Sequence, residues 1–206
     1  MASHTEAPAE MNFLLPDHRV LCMAENCTAT LHNLSTPRGT QVRDGLAWSA
    51  VLHDAIERFE GRADVMFCCH NWPTWGDGAI VEHLARHRDA YRFIHDQAMR
   101  LANHGLTSLE IAEELESIGI PGSTSGDLSL RNYYGTVSHN AKAVYQRYLG
   151  WYDAHPSNLH PLPPEPAAKR YLAYMGGADA VVARARDDFE AGDYRWVAQV
   201  LHHVVF

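Results

Sequence analysis

Asp64-Val65-Met66-Phe67-Cys68-Cys69-His70-Asn71-Trp72-Pro73-Thr74-Trp75-Gly76-Asp77-Gly78 runs into Ala79-Ile80-Val81-Glu82-His83-Leu84, and the fold class turns on that junction. Asp64–Cys68 is an apolar run too short for a helix, and it opens into a polar, Gly- and Trp-rich loop from His70 to Gly78. From Ala79 the period changes. Ile80, Leu84, His87, Tyr91, Ile94, Ala98 and Leu101 recur at three- and four-residue steps, the mark of a long amphipathic helix ending near Gly105. The chain therefore reads as strand-rich before residue 78 and helical after it.

Upstream, Asn12–Leu15 and Arg19–Ala24 flank the turn pair Pro16-Asp17, which predicts a hairpin. Leu46, Trp48, Val51, Leu52, Ala55, Ile56 and Phe59 follow at helical spacing, with Asp44 as N-cap and Gly61 just past the end. Strand, strand, helix, strand and a reactive-looking loop form an α/β layout with chemistry at the strand ends. Downstream, Thr107-Ser108-Leu109-Glu110 is a capping box opening a second helix. A Gly/Ser-rich turn over 121–126 leads to a third helix, read as carrying Tyr133, Val137, Ala141, Val144, Tyr145 and Tyr148. Residues 155–166 hold five prolines and read as an irregular arm before two or three closing helices. The apolar helix at Trp196–Phe206 lacks a C-cap and a polar tail, and the N-terminal hairpin has too few partner strands for an independent sheet. Both ends give the expectation of a piece cut from something larger.

The 206 residues can bury a sizeable core, roughly 70% of the unfolded chain's surface for this length. A net charge of −8 disfavours a nucleic-acid or anionic-membrane surface. No apolar run approaches the roughly 18 residues of a membrane span, and Met1–Glu6 shows neither the basic start nor the apolar segment of an export signal. Residues 102–115 resemble the first half of a helix-turn-helix, but no basic recognition helix follows. Cys22, Cys27, Cys68 and Cys69 fit neither a disulfide framework nor a zinc ribbon and read as small buried hydrophobes. The 14 histidines are a mild pointer to metal or acid–base chemistry.

Three side chains stand at strand ends: Glu6, Glu25 and His70. If the strands share a sheet, the three converge on one edge, where two carboxylates and an imidazole suit zinc or a harder metal. On pattern alone, a Glu after a strand is more often solvated. His32, Arg38 and Arg43 precede the Asp44 helix, and the guanidiniums suit a sulfate, phosphate or carboxylate, with plain surface charge as the simpler reading. The aromatic set Tyr133, Tyr134, Tyr145, Tyr148, Trp151 and Tyr152 reads as core or subunit interface.

Several motifs lie in order along nearly the whole chain: Thr5-Glu6-Ala7-Pro8-Ala9-Glu10-Met11, Met23-Ala24-Glu25-Asn26, Leu31-His32-Asn33-Leu34, Arg38-Gly39, Val42-Arg43-Asp44 and Cys69-His70-Asn71-Trp72-Pro73. They closely resemble the alkyl sulfatases of the metallo-β-lactamase superfamily. Tyr133–Asn140, Tyr148–Tyr152, Met175–Ala178 and Gly192–Trp196 resemble the helical dimerisation domain of the same enzymes. The resemblance implies an α+β chain. Residues 1–78 would be the C-terminal part of an αββα sandwich, and 79–206 an all-α dimerisation domain truncated at its C-terminal end. It implies hydrolysis of alkyl sulfates such as dodecyl sulfate at two zinc ions per full-length subunit, in a homodimer. Position by position, Glu6 matches a carboxylate ligand, Glu25 the bridging carboxylate and His70 the last histidine ligand, with Glu10 a rival to Glu6. His32 matches the proton donor to the leaving group, and Arg38 and Arg43 match sulfate-gripping residues. The family's His-x-His-x-Asp-His run is absent, so the chain alone is expected to be inactive or nearly so. A non-catalytic dimerisation module, or a superfamily hydrolase of another ester, are the alternatives.

Overall fold

The computed structural model describes residues 2–123 and 128–206. It forms two compact units, the first running to Trp151 and the second from Tyr152 to Phe206. The first unit starts with a small antiparallel pair, β1 (Ala2–Ser3) and β2 (Ala9–Glu10). A four-stranded sheet follows, in the order β3 (Phe13–Leu15), β4 (Val20–Cys22), β5 (Val65–Phe67), β6 (Thr74–Trp75). The expected hairpin is β3–β4, antiparallel with Leu14 opposite Leu21, and it closes through a single 3-10 turn at Pro16–His18. Arg19 leaves that turn at a φ of 50° and its guanidinium meets both oxygens of Asp64 at 2.8 and 2.9 Å. β4 and β5 are parallel, with Cys22 opposite Phe67, because the helix between them returns the chain to the same end of the sheet.

That helix is α1 (Gly45–Phe59), capped by Asp44, whose carboxylate accepts from the Ala47 N–H at 3.0 Å. Trp48, Leu52 and Ala55 bury the predicted face. α2 (Asp77–Asn103) is the long helix of the 3.6-residue period, two residues longer at its start than the pattern suggests. α3 (Ser108–Ile118) opens on the capping box, with the Thr107 N–H and Glu110 carboxylate 2.8 Å apart. α4 (Val137–Leu149) starts later than expected. Thr136 is its N-cap, and Tyr133 lies before it in a loop. Of the expected 121–126 turn, residues 124–126 lie outside the described residues.

One core joins these elements. Leu21, Met23 and Met66 of the sheet region share it with Trp48 and Leu52 of α1, Leu84, Tyr91 and Ile94 of α2, Ile111 and Leu115 of α3, and Val144 of α4. The change of period at 78/79 is therefore a change of local structure inside one packed unit, because α2 closes over α1 and touches β5 and β6. Trp48 and Tyr91 stack at 4.8 Å in that core, and the Trp48 indole N–H donates to the Asn26 carbonyl at 2.7 Å. Burying an aromatic pair this way is worth about 1 kcal/mol beyond its area.

The second unit holds α5 (Pro156–Leu159), α6 (Pro164–Met175), α7 (Ala178–Glu190) and α8 (Tyr194–Val205). The proline-rich arm is thus partly helical. Pro156 and Pro164 stand at the first helical position, where the missing N–H has no partner to lose. Its small core is Ala168, Val181, Ala185 and Val197, while Tyr174, Trp196, Val205 and Phe206 remain exposed. Among the described residues no helix is long and apolar enough to cross a membrane.

Candidate metal centre

Parallel pairing of β4 and β5 sets their C-terminal ends side by side. Past the strands the backbones stay joined, Met23 N–H to Phe67 carbonyl at 3.0 Å and Cys69 N–H to Ala24 carbonyl at 2.8 Å. Glu25 and His70 therefore emerge together, and His70 Nε2 lies 3.1 Å from Glu25 Oε1. The turn between β1 and β2 brings Glu6 to the same place. Ligand-capable atoms of Glu6, Glu25 and His32 all lie within 4.8 Å of one another. His70 is largely exposed, Glu25 partly buried and His32 only 2% exposed.

His32 carries the clearest electrostatic signal. Its Nδ1–H donates to the Asn33 carbonyl at 3.0 Å, so Nε2 bears the lone pair. That buried Nε2 has no hydrogen-bond partner and faces Glu25 Oε2 at 3.6 Å. Burial pulls the imidazole below its ordinary value, with the Arg43 charge adding to the effect against opposing contributions from Asn33 and Glu25. A neutral nitrogen lone pair set against a carboxylate calls for a cation or a shared proton between them. The donor set of carboxylates and imidazoles fits zinc.

Arg43 is drawn inward rather than held out toward a substrate. Nε donates to the Glu6 carbonyl at 2.7 Å, Nη2 to Glu6 Oε1 at 2.6 Å, and Nη1 to Asn33 Oδ1 at 2.6 Å and the Asn33 carbonyl at 2.9 Å. Its bonds fix the Glu6 turn and the His32 loop to each other. Arg38 is exposed and lines a cavity of about 390 Å3 with Glu6, Arg43 and Arg147, one that His32 and His70 do not reach. Glu10, the rival to Glu6, accepts the Glu25 N–H at 3.1 Å, and burial foremost raises its carboxyl, with Glu6 and Glu25 as like charges. It anchors the Glu25 backbone and is not among the three clustered ligands.

Sequence reading missed what holds His32. Asn140, fully buried on α4, accepts the Leu34 N–H at 2.8 Å and donates to the His32 carbonyl at 3.0 Å. Tyr91 Oη accepts the His32 N–H at 3.1 Å. The 131–136 loop presses on the same strip. Gly135 N–H donates to the Leu31 carbonyl at 2.7 Å, and Tyr134 meets the His32 ring edge-on at 4.9 Å. That close approach is why α4 starts late and why Tyr133 and Tyr134 are not a buried stripe. Tyr145 alone of the aromatic set is buried; Tyr133, Tyr134, Tyr148 and Trp151 are exposed. The helical spacing at Asn140 and the glycine after two tyrosines were the available signals. Beside His32 and His70 opens a cavity of about 510 Å3, walled by Trp72, Leu128, Tyr133 and Tyr134.

The cysteines divide. Cys22 and Cys27 are buried as expected, whereas Cys69 is exposed, since it stands past the strand end. Cys68 is intermediate, donates to the Cys27 carbonyl, and burial pushes its thiol up to about 12.

Residues 107–206 match the family model for alkyl sulfatase dimerisation. An alkyl/aryl-sulfatase of Saccharomyces cerevisiae is 52% identical over 206 residues, which is 100% of this chain and 31% of the relative. An (R)-specific secondary-alkylsulfatase of Pseudomonas sp. is 47% identical over 202 residues, covering 98% of this chain and 30% of that protein. A solved structure of a stereoselective inverting sec-alkylsulfatase from Pseudomonas sp. superposes with a TM-score of 0.90 at 45% identity, over 100% of this chain and 32% of that one. The chain thus spans about a third of the length of the relatives it matches.

Proposed function

We propose that this chain, which resembles the alkyl sulfatases along its whole length, is the part of a zinc-dependent alkyl sulfate hydrolase that carries one side of its metal centre. The observation behind this reading is the convergence of Glu6, Glu25, His32 and His70 at one sheet edge, beside a cavity with aromatic walls. An amphiphile suits it: the polar ester against the histidines, the alkyl tail along Trp72, Leu128, Tyr133 and Tyr134. In fold terms, residues 1–78 would be the C-terminal part of a metallo-β-lactamase αββα sandwich and 79–206 a dimerisation domain, two segments that share one packed core up to Trp151. The exposed apolar side chains of α8 suit a second copy of the chain.

Glu6, Glu25 and His70 would hold zinc, with Glu25, flanked by both imidazoles, as the bridge. The remaining ligands would come from the length of the relatives that this chain does not span, so the chain alone has little or no activity. Bound zinc supplies an activated water at neutral pH and a positive field for the ester oxygens. His32 holds and releases a proton at Nε2, and burial makes the protonated ring a stronger acid toward a leaving oxygen. Arg43 keeps Glu6 and His32 in register, and Arg38, exposed in the separate cavity beside Glu6, is the guanidinium that the resemblance assigns to sulfate.

A second assignment of His32 rests on its own geometry, since it, rather than His70, falls within the three-ligand cluster. Zinc content separates the two roles: His32→Gln keeps the metal if His32 is the acid and loses it if His32 is a ligand. The reaction itself is tested by sulfate release from dodecyl sulfate, using a protein of the relatives' full length. Release that a chelator stops and zinc restores supports the proposal; release indifferent to chelator, or none, counts against it.

A further inference from the structure

A second group of metal-capable side chains lies within the first unit and shares no residue with the Glu6–Glu25–His32 cluster. Ligand atoms of Cys27, His83 and His87 all lie within 4.8 Å of one another. Cys27 is 1% exposed, His87 is fully buried, and His83 is partly exposed at the rim. We propose that these three form an enclosed site for a zinc ion, entered from the His83 side.

The local structure builds it. His83 and His87 are one turn apart on α2, so their rings stand over each other, 4.6 Å between centroids and tilted by 40°. This is the spacing by which a helix offers two imidazoles to one ion. Packing alone would be served by leucine at 87, as at 84 on the same face. Cys27 comes from a loop pinned at successive residues. Asn26 N–H donates to the Met23 carbonyl at 2.8 Å, the Asn26 carbonyl accepts Trp48 Nε1–H, and Thr28 Oγ1 donates to the Thr30 carbonyl at 2.8 Å. The Cys27 carbonyl itself accepts from Cys68 Sγ. His83 Nε2 meets the Thr28 carbonyl at 2.9 Å, the outer contact that typically orients a metal-binding imidazole. A fixed thiol and two imidazoles stacked on one helix form a ligand set laid out before any ion arrives.

The chemistry of the set selects the ion. One sulfur and two nitrogens, with no carboxylate in the group, favour zinc over calcium or magnesium. On binding, the thiol proton passes to solvent and a sulfur–metal bond replaces the S–H bond. With three protein ligands, a fourth position stays open at the partly exposed edge.

Cobalt(II) is the probe, because a thiolate ligand gives a charge-transfer band in the near ultraviolet that oxygen and nitrogen ligands do not. The chelator-stripped, reduced chain is titrated anaerobically with cobalt, then with zinc. The expected result is a charge-transfer band saturating at one equivalent and removed by zinc. Cys27→Ser abolishes it, His83→Gln weakens cobalt binding at least tenfold, and Cys69→Ser and Glu25→Gln leave the band intact. His83 sits at the rim, so His83→Gln tests the site should Cys27→Ser fail to fold, with circular dichroism deciding that. No band at saturating cobalt, or a band lost with Cys69→Ser but not with Cys27→Ser, overturns the proposal. Because Glu25→Gln disables the other cluster, either reading can fail without the other.

Discussion

Gly135→Ala tests how the helical part of the chain holds the candidate acid. A Cβ built on Gly135 lies 2.2 Å from the His32 carbonyl oxygen, 2.3 Å from its carbon and 2.7 Å from the Asn33 nitrogen. These are backbone atoms, with no side chain to swing aside. Ordinary contact begins near 3.4 Å, so the two segments must separate by about 1.2 Å. That movement breaks the Gly135–Leu31 bond of 2.7 Å and strains the Asn140–His32 bond of 3.0 Å. Overpacking of this kind costs about 1–3 kcal/mol, and a lost hydrogen bond adds about 1 kcal/mol, so a total near 3 kcal/mol is expected. For a chain of this size that lowers the melting temperature by roughly 6–12 °C. Thermal unfolding of the chain, followed by near-ultraviolet circular dichroism, reads it directly. A melting temperature within about 2 °C of the parent, roughly 1 kcal/mol or less, would refute the claim that the 131–136 loop is clamped onto the His32 strip.

Asn140→Ala strips partners from two buried backbone groups, Leu34 N–H and the His32 carbonyl, and should cost about 2–4 kcal/mol in a denaturant titration. Asn140→Asp should cost as much, since an ionised carboxylate accepts from Leu34 but cannot donate to His32. Iodoacetamide should label Cys69 first in the native chain, with Cys22 and Cys27 protected until unfolding; peptide mass spectrometry that finds Cys27 labelled at the same rate contradicts the structure. Stability of the metal-free chain should fall as pH drops below about 6.5, the ordinary histidine value. The folded His32 resists the proton that the unfolded chain accepts, so the loss grows from there down to the depressed folded value and then levels off. His32→Gln should flatten that limb of the stability–pH curve.

Local signals were legible wherever one short-range effect decided the outcome. The capping box at Thr107, the Asp44 N-cap, the 3.6-residue face of α2 and the Pro16-Asp17 turn each form from neighbours in sequence. Glu25 and His70 were legible as strand-end residues because only the parallel pairing of two short strands was needed to join them. What escaped depends on distant packing. Asn140 reaches His32 across 108 residues, and a helical asparagine looks the same in sequence whether it faces water or a buried carbonyl. Tyr133 and Tyr134 looked like part of a helix stripe, because nothing local announces that Gly135 must lie flat on Leu31. Arg43 and Arg38 looked alike, yet Asn33 and Glu6 occupy one and leave the other exposed. His87 matched the apolar period of α2 and Cys27 read as a small buried hydrophobe in a loop, so neither stood out in sequence as a candidate ligand.

The most direct measurement is anomalous diffraction at the zinc edge from crystals of a protein of the relatives' full length grown with zinc. Zinc peaks are expected within bonding distance of Glu6, Glu25 and a histidine at the shared ends of β4 and β5, with Glu25 touching both ions. A zinc-replete crystal with no peak against Glu25 would contradict that expectation.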